Sequence, residues 1–262
     1  MGRKSNFGKI ARYNLVGVVG GVGPEASNKF CEMLINFKSK EKDQDNIPFI
    51  HFSNSQIPDR TDFILGKGAS PIPELVKTCK TLENSGADFL IIPCNTAHCF
   101  LEEIQNEIGI PIVDMIKIMV NNIIDDNPML SKVGLLATTG SIESDLFQKY
   151  FDSANIETII PNMEDQENFV MNAIYGPRGI KAGKKKKAGR LLKKAVKKLN
   201  SAGAQVIVLG CTEIPLVLQQ KDFKIRLYDP MEIVAKEIIN YLEANGDTEV
   251  VTVKHKIKEN QL

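Results

Sequence analysis

The sequence predicts an α/β protein made of two similar α/β lobes with parallel sheets, related by pseudo-two-fold symmetry, with the active cleft between them. Short β-rich runs alternate with helical patterns along the chain, which is typical of βαβ units. The second observation is an internal repeat. A Gly-Ala turn, an apolar run and a cysteine end at Cys94 and again at Cys211, 117 positions further on. The chain is therefore predicted to contain two copies of one unit.

Apolar runs bounded by turn residues predict the strands, and apolar residues at helical spacing predict the helices. In the first half, strands are expected near 15–19, 48–53, 88–93 and 111–113, the last one short, and helices near 25–38, 73–85, 97–108 and 115–125. In the second half, strands are expected near 132–136, 155–160, 205–208 and 225–228, and helices near 143–151, 164–174, 184–201, 213–219 and 231–243. The offset of 117 also pairs Val16-Gly17 with Val133-Gly134, Gly23 with Gly140 and Ile57 with Ile174.

These elements divide the 262 residues into four parts. We expect an N-terminal extension at 1–14, a first lobe at 15–115 that is completed by a C-terminal helix at 230–244, a second lobe at 116–229, and a tail at 245–262. Each lobe has the size of a small domain, which is enough to bury a core.

Composition excludes several classes of protein. With 43% apolar residues, 25% charged residues and a formal charge of +1, the chain lacks the basic excess of a nucleic-acid binder. No apolar run approaches the roughly 18 to 20 residues of a membrane span, and the N-terminus lacks the apolar core of a secretory signal. Five cysteines, an odd count in a long chain, indicate free thiols and predict a cytoplasmic protein. From the charge and the short apolar runs, no nucleic-acid or membrane partner is expected.

Both repeated cysteines follow a predicted strand, where ligands bind in open parallel sheets. A cysteine there also starts a helix, whose dipole favours the thiolate, so Cys94 and Cys211 are candidate catalytic groups. The alternative is that each is a small buried apolar residue. The strand-to-helix turns at 20–24 and 138–141 should point backbone N–H groups into the same cleft, which favours an anionic ligand.

Three spaced motifs stand out in the sequence: Gly20-Gly21-Val22-Gly23-Pro24, Pro93-Cys94-Asn95-Thr96-Ala97-His98 and Gly210-Cys211-Thr212-Glu213. They resemble those of the cofactor-independent aspartate/glutamate racemases, and the similarity covers residues 15–242. Glu213, which follows Cys211-Thr212, resembles the aspartate racemase branch, because glutamate racemases usually have His there.

The resemblance implies racemisation by two bases. One cysteine thiolate removes the α-proton of an amino acid while the opposite thiol protonates the other face. N–H groups of Asn95, Thr96 and Thr212, the hydroxyl of Thr139 and the turn at Gly21 are expected to bind the substrate and stabilise the charge on its α-carboxylate. No cofactor is expected, pyridoxal phosphate included, and the resemblance implies a homodimer.

Two loops, at 57–60 and 174–181, offer cations to the cleft. By the resemblance, Arg60 and Lys181 match the pair that holds the distal carboxylate of aspartate, and an arginine can take a carboxylate bidentately. The substrate is therefore expected to be a dicarboxylic amino acid. The alternative is a pair of solvated loop cations.

Other polar residues carry weaker expectations. His98 lies one helical turn after Cys94, where it could support that thiol or hydrogen-bond to backbone. Together with Cys99 these residues supply no fourth ligand, so no metal site is expected. The lysine-rich segment at 184–198 has an apolar stripe at helical spacing, which indicates the solvated face of a packed helix.

Alternative functions remain open at this stage. A relative on the same scaffold could be a maleate isomerase or a decarboxylase, although the decarboxylases keep only one of the two thiols. A non-catalytic amino-acid-binding protein would use the same cleft without turnover. The sequence does not rank aspartate against glutamate or a broader range of amino acids.

Overall fold

The computed structural model of the protein describes residues 15–38 and 40–243. The expected N-terminal extension at 1–14 and tail at 245–262 lie outside these residues. The described chain forms two lobes, each built on a parallel sheet flanked by helices, which confirms the predicted fold class. No helix in the described ranges is both long enough and apolar enough to cross a bilayer.

The first sheet has three parallel strands in the order β2-β1-β3. They are β1 (Val16–Gly20), β2 (Phe49–Ser53) and β3 (Phe89–Ile91). The short fourth strand expected at 111–113 is only a single parallel bridge between Leu90 and Ile112. Pro111 begins that segment and has no N–H group to donate, which limits strand pairing there.

The second sheet has four parallel strands in the order β5-β4-β6-β7. They are β4 (Lys132–Leu136), β5 (Glu157–Ile159), β6 (Val206–Leu209) and β7 (Arg226–Tyr228). The central strands β4 and β6 are almost entirely buried, as expected of parallel strands covered on both faces.

The helices agree with the expected pattern except where a local feature interrupts it. The longer ones are α1 (Pro24–Asn36), α3 (Ile72–Asn84), α5 (Met115–Asp126), α10 (Lys185–Ser201) and α11 (Pro230–Glu243). The shorter ones are α2 (Arg60–Ile64), α4 (Leu101–Asn106), α6 (Thr139–Glu143), α7 (Gln148–Ser153), α8 (Met163–Asp165) and α9 (Asn172–Ile174).

Several predicted helix bounds were wrong. The segment 97–108 starts as a 3₁₀ helix, Asn95–Phe100, before α4. The segment 143–151 is divided between α6 and α7, because Asp145 has a φ of 50° and ends the first helix. A π-helix, Gln166–Met171, separates α8 from α9, and 213–219 contains only the short 3₁₀ helix Ile214–Leu216.

The internal repeat is also seen in the packing of neighbouring strands. A Cβ atom added at Gly17 in β1 would lie 2.5 Å from Leu90 Cδ2, and one added at Gly134 in β4 would lie 2.5 Å from Ile207 Cδ1. Leu90 and Ile207 are themselves 117 positions apart. Each glycine therefore lets the neighbouring strand approach in the same way in both lobes.

The two lobes share one apolar core. Val16 and Val18 of β1 lie in the same buried cluster as Val133 and Leu135 of β4, together with side chains from α1, α5 and α11. Helix α11 packs against α1 and α5, so the end of the described chain returns to the first sheet. The outer faces have separate cores, under α3 in the first lobe and under α10 in the second.

We expect Gly17→Ala and Gly134→Ala each to lower the free energy of unfolding by about 1 to 3 kcal/mol, because the added methyl group would displace Leu90 or Ile207 and would lie 3.0 Å from Ala87 Cβ or 2.9 Å from Ala204 Cβ. The measurement is urea denaturation. Gly189→Ala in α10 is the matched control, because its Cβ would lie 3.4 Å from the nearest atom and alanine favours the helix. Equal losses in all three variants would contradict this account.

Candidate active site

A cavity lies between the lobes where the carboxyl ends of the strands meet. Cys94 follows β3 and Cys211 follows β6, so the two parallel sheets bring both thiols to one place. The cavity volume is about 20 Å³, which holds roughly one water molecule. Its walls are formed by Val22, Arg60, Cys94, Thr96, Thr138, Tyr175, Lys181, Cys211, Thr212 and Glu213.

Most of the residues singled out in the sequence lie on this cavity, and four do not. Those on the wall are Arg60, Cys94, Thr96, Lys181, Cys211, Thr212 and Glu213. Those behind the wall are Gly21, Asn95, His98 and Thr139. Val22, Thr138 and Tyr175 belong to segments that the sequence directed toward the cleft, but they were not predicted as site residues. The offset of 117 makes Thr138 the repeat equivalent of Gly21, which is a signal that could have found it.

The Cys211 thiol is deeply buried, with 8% of the residue exposed. Burial, and to a smaller extent the charge of Glu213, raises its pKa to about 12. A hydrogen bond from the Glu213 backbone N–H and the charge of Lys181 act in the opposite direction. In the closed cavity Cys211 is therefore a thiol at neutral pH.

A buried cation lies beside the other thiol. Arg60 is 6% exposed, and its Nη1 donates to Pro58 O at 3.0 Å. Burial disfavours the charged form of Arg60, but the neighbouring Cys94, a hydrogen bond to its side chain and the charge of Asp59 favour it, so the pKa of Arg60 is raised overall. Arg60 Nε has no partner among the described residues, so the guanidinium keeps a free donor.

Lys181 is the second cation of the cavity. Its Nζ lies 4.8 Å from the centroid of the Tyr175 ring, within cation–π range. Its charge lowers the pKa of Cys211 and of Glu213, in both cases against a larger increase caused by burial. Arg60 thus lies beside Cys94, and Lys181 lies close enough to Cys211 to lower its pKa, so there is a cation near each thiol.

Two glycines of the first strand-to-helix turn make room for the site. Gly23 has a φ of 99°, and a Cβ there would lie 2.6 Å from Glu213 Oε1. Gly21 has a φ of 87°, and a Cβ there would lie 2.2 Å from the backbone of Asn54. Any residue other than glycine would be strained at both positions. Gly21 therefore shapes the turn from behind the wall.

Three hydroxyl groups join the lobes at the cavity. Thr96 Oγ1 lies 3.2 Å from Thr138 Oγ1 and 2.8 Å from Ser141 Oγ, and the latter two are 3.1 Å apart. Thr96 belongs to the first lobe. Thr138 is the N-cap of α6 in the second lobe, and Ser141 lies in the first turn of that helix. This hydroxyl triangle is buried and fixes the two strand-end turns against each other.

Thr139 points away from the cavity. Its hydroxyl accepts a hydrogen bond from Gln166 Nε2 at 3.3 Å, and its backbone N–H contacts Met171 Sδ at 3.3 Å. Thr138, the preceding residue, contributes the hydroxyl on the wall instead.

His98 and Asn95 lie directly behind Cys94. His98 Nδ1 is 2.9 Å from Cys94 O, and Nε2 accepts from the Met115 N–H at 3.2 Å. Burial lowers the pKa of His98, so the neutral ring donates through Nδ1 and holds the backbone of Cys94. Asn95 is 1% exposed, and its side-chain oxygen and nitrogen have no partner within the described chain.

Metal ligands are not grouped in this part of the molecule. In the two described ranges, no three His, Cys, Asp or Glu side chains lie close enough together to hold a metal ion.

Comparison with known proteins finds the same architecture. The family model for Asp/Glu/Hydantoin racemase matches residues 19–238. The broad specificity amino-acid racemase RacX of Bacillus subtilis is 25% identical over 234 residues, which are 86% of this chain and 97% of that protein. A glutamate racemase of Corynebacterium glutamicum is 26% identical over 203 residues, 71% of each chain. The structure of Picrophilus torridus aspartate racemase has a TM-score of 0.76 at 25% identity, covering 88% of this chain and 94% of that one.

We expect alkylation of Cys211 by iodoacetamide in the Cys94→Ala variant to rise roughly tenfold per pH unit from about pH 7 to about pH 10, because only the thiolate reacts and the pKa is about 12. Mass spectrometry of the Cys211 peptide measures the rate. Lys181→Met should slow it, since this cation favours the thiolate. A plateau below about pH 9 would show instead that the free site already activates Cys211.

Proposed function

We propose that this chain, which belongs to the Asp/Glu/Hydantoin racemase family, interconverts L- and D-aspartate without a cofactor and accepts glutamate as a second substrate. The observation that carries the proposal is a single buried cavity with two thiols from equivalent strand ends and a cation beside each of them. Inversion needs a base on one face of the α-carbon and an acid on the other.

In the proposed reaction, one thiolate takes the α-proton and becomes a thiol, while the opposite thiol gives its proton to the other face and becomes a thiolate. No electron is gained or lost overall, and the next turnover can run in reverse. Cys211 is a thiol in the resting cleft, which suits it to be the acid in one direction. In the other direction it must first lose its proton.

The intermediate carries extra negative charge on the α-carboxylate, so the site must offer hydrogen-bond donors there. The backbone N–H groups at Thr96 and Thr212 are proposed donors. The side chain of Asn95 is a further candidate, because its buried amide has no other partner among the described residues. The donor role expected of the Thr139 hydroxyl is here assigned to Thr138, which lies on the cavity wall.

Charge supports a dicarboxylic substrate. Arg60 and Lys181 bring two positive charges to a cavity whose fixed acid, Glu213, has a pKa raised by burial. A substrate with a distal carboxylate would neutralise this excess, and the free donor on Arg60 Nε could take part in binding it. Gly21 would act indirectly, by shaping the turn, and His98 by holding the Cys94 backbone.

Two cysteines on one cavity favour a racemase over the decarboxylases considered above, which keep only one of the two thiols. A measurement of turnover distinguishes a racemase from a non-catalytic amino-acid-binding protein. Relatives include a broad specificity amino-acid racemase and glutamate racemases, so the choice of aspartate is part of the proposal. Assembly as a homodimer and a cytoplasmic location stay predictions from the sequence.

Cys94→Ala and Cys211→Ala should each reduce racemisation of aspartate by at least about 100-fold, because each variant lacks the base or the acid on one face. Chiral chromatography of the product measures this. Cys99→Ala is the matched control, since its thiol contacts Ser144 and is not on the cavity wall.

Isotope labelling in deuterated water tests the two-base mechanism. In the wild-type enzyme, deuterium should appear first in the inverted product and only later in the recovered substrate. Equal early labelling of both would contradict the proposal, because a single base returns solvent hydrogen to the face from which it took the proton. Near-normal turnover in either cysteine variant would contradict it as well.

Arg60→Ala and Lys181→Ala should each raise the KM for aspartate by roughly 10 to 100-fold, the value of a charge-assisted hydrogen bond, and change the KM for alanine much less. Initial rates with both amino acids measure the ratio. Arg178→Ala, an exposed cation on the same loop as Lys181, is the control. Unchanged ratios in both variants would mean that these cations do not hold the substrate side chain.

A further inference from the structure

Tyr175, at the C-terminal end of α9, reaches from the second lobe to the first. Its hydroxyl lies 3.1 Å and 3.3 Å from the two carboxylate oxygens of Asp59, and 3.3 Å from Thr61 Oγ1. Burial and the charge of Asp59 raise the pKa of Tyr175, so the hydroxyl stays protonated and donates to the carboxylate. This contact closes one side of the cavity.

Asp59 in turn positions the helix that carries Arg60. Its Oδ1 accepts from the backbone N–H groups of Thr61 at 2.8 Å and Asp62 at 3.1 Å, so Asp59 is the N-cap of α2. Arg60 is the first residue of that helix. A shift of the Asp59 carboxylate would therefore displace the backbone from which the Arg60 side chain extends.

The aromatic ring of Tyr175 contacts the second cation, Lys181. Lys181 Nζ lies over the Tyr175 ring, 4.8 Å from its centroid, and the Lys181 backbone N–H donates to Ile174 O at 3.2 Å. The segment after Tyr175 is anchored by Ile180, which is 1% exposed. Four residues beyond Lys181, Lys185 begins α10 and forms an ion pair with Glu25 of the first lobe. The segment 175–185 therefore contacts the first lobe at both of its ends.

We infer that Tyr175 is a positioning residue that fixes Arg60 and Lys181 relative to each other, and that it thereby sets the preference for amino acids with a distal carboxylate. The inference rests on the proposed function, in which these two cations bind that carboxylate. Two cations held in place need no ordering when the substrate binds, whereas independent cations lose conformational freedom at that step and weaken binding.

The test is Tyr175→Phe, which removes the hydroxyl contact to Asp59 and keeps the ring under Lys181. The KM for aspartate should rise about three- to tenfold, the value of one hydrogen bond, while kcat stays within about twofold. The kinetic constants for alanine, which has no distal carboxylate, should not change. Tyr175→Leu, which also removes the ring, should raise the KM for aspartate further.

Tyr150→Phe is a matched control, because Tyr150 makes the same kind of contact elsewhere. Its hydroxyl donates to Asp114 Oδ2 at 2.9 Å, and Asp114 caps α5 by accepting from the Lys117 N–H at 3.0 Å. We expect Tyr150→Phe to lower the melting temperature about as much as Tyr175→Phe and to leave the aspartate-to-alanine ratio of kcat/KM unchanged. If both variants changed that ratio equally, the role of Tyr175 would be structural only.

A double-mutant cycle isolates the contact itself. Asp59→Asn keeps an oxygen for the helix cap and loses the charge, so the effects of Asp59→Asn and Tyr175→Phe on the KM for aspartate should not multiply in the double variant. Fully multiplicative effects would overturn the inference. Calorimetric binding of succinate to the Cys94→Ala protein gives a readout without turnover, and Tyr175→Phe in that background should weaken it by a similar factor.

The outcomes separate the inference from the function on which it rests. If Arg60→Ala and Lys181→Ala alter the KM for aspartate and Tyr175→Phe does not, Tyr175 is no positioning residue and the proposed function stands. If none of the three variants affects aspartate or succinate, the cations do not bind the distal carboxylate, and both proposals fail.

Discussion

The cleft depends on an apolar core that belongs to both lobes. Valines and leucines from β1 and β4 meet in one buried cluster with α1, α5 and α11, so the two sheets cannot shift independently without exposing apolar surface. The hydroxyl triangle of Thr96, Thr138 and Ser141 adds a polar tie close to the thiols. The packing of this shared core therefore holds Cys94 and Cys211 on one cavity.

Within that frame, burial sets the electrostatics. Removing water raises the pKa of Cys211 and of Glu213, whereas Cys94 and Asp59 raise the pKa of Arg60 against the effect of its burial. A cavity with room for roughly one water molecule is smaller than an amino acid, so its walls must move apart before a ligand of that size can enter. Beside the cavity, Tyr175 and Lys185 of the second lobe contact Asp59 and Glu25 of the first.

Much of this arrangement could be predicted from the sequence, because it follows from strand periodicity and from the repeat. The ends of β3 and β6 could be found from the apolar runs before Cys94 and Cys211. Helix α2 was missed because five residues are too few to show helical periodicity, although Pro58-Asp59 is an N-cap signal. The strand at 111–113 was overestimated because Pro111 limits pairing.

The contacts of Tyr175 and the position of Thr138 on the cavity wall depend on how the two lobes pack together. Local sequence patterns do not predict this packing.

The return of α11 to the first sheet has a consequence for how the chain is made. During synthesis the first lobe emerges from the ribosome long before residues 230–243, which pack against α1 and α5. Until then, the apolar faces of these helices lack a partner, so the first lobe cannot complete its core as an independent unit. The protein should therefore reach its native state only after α11 has been translated, as one cooperative structure and not lobe by lobe.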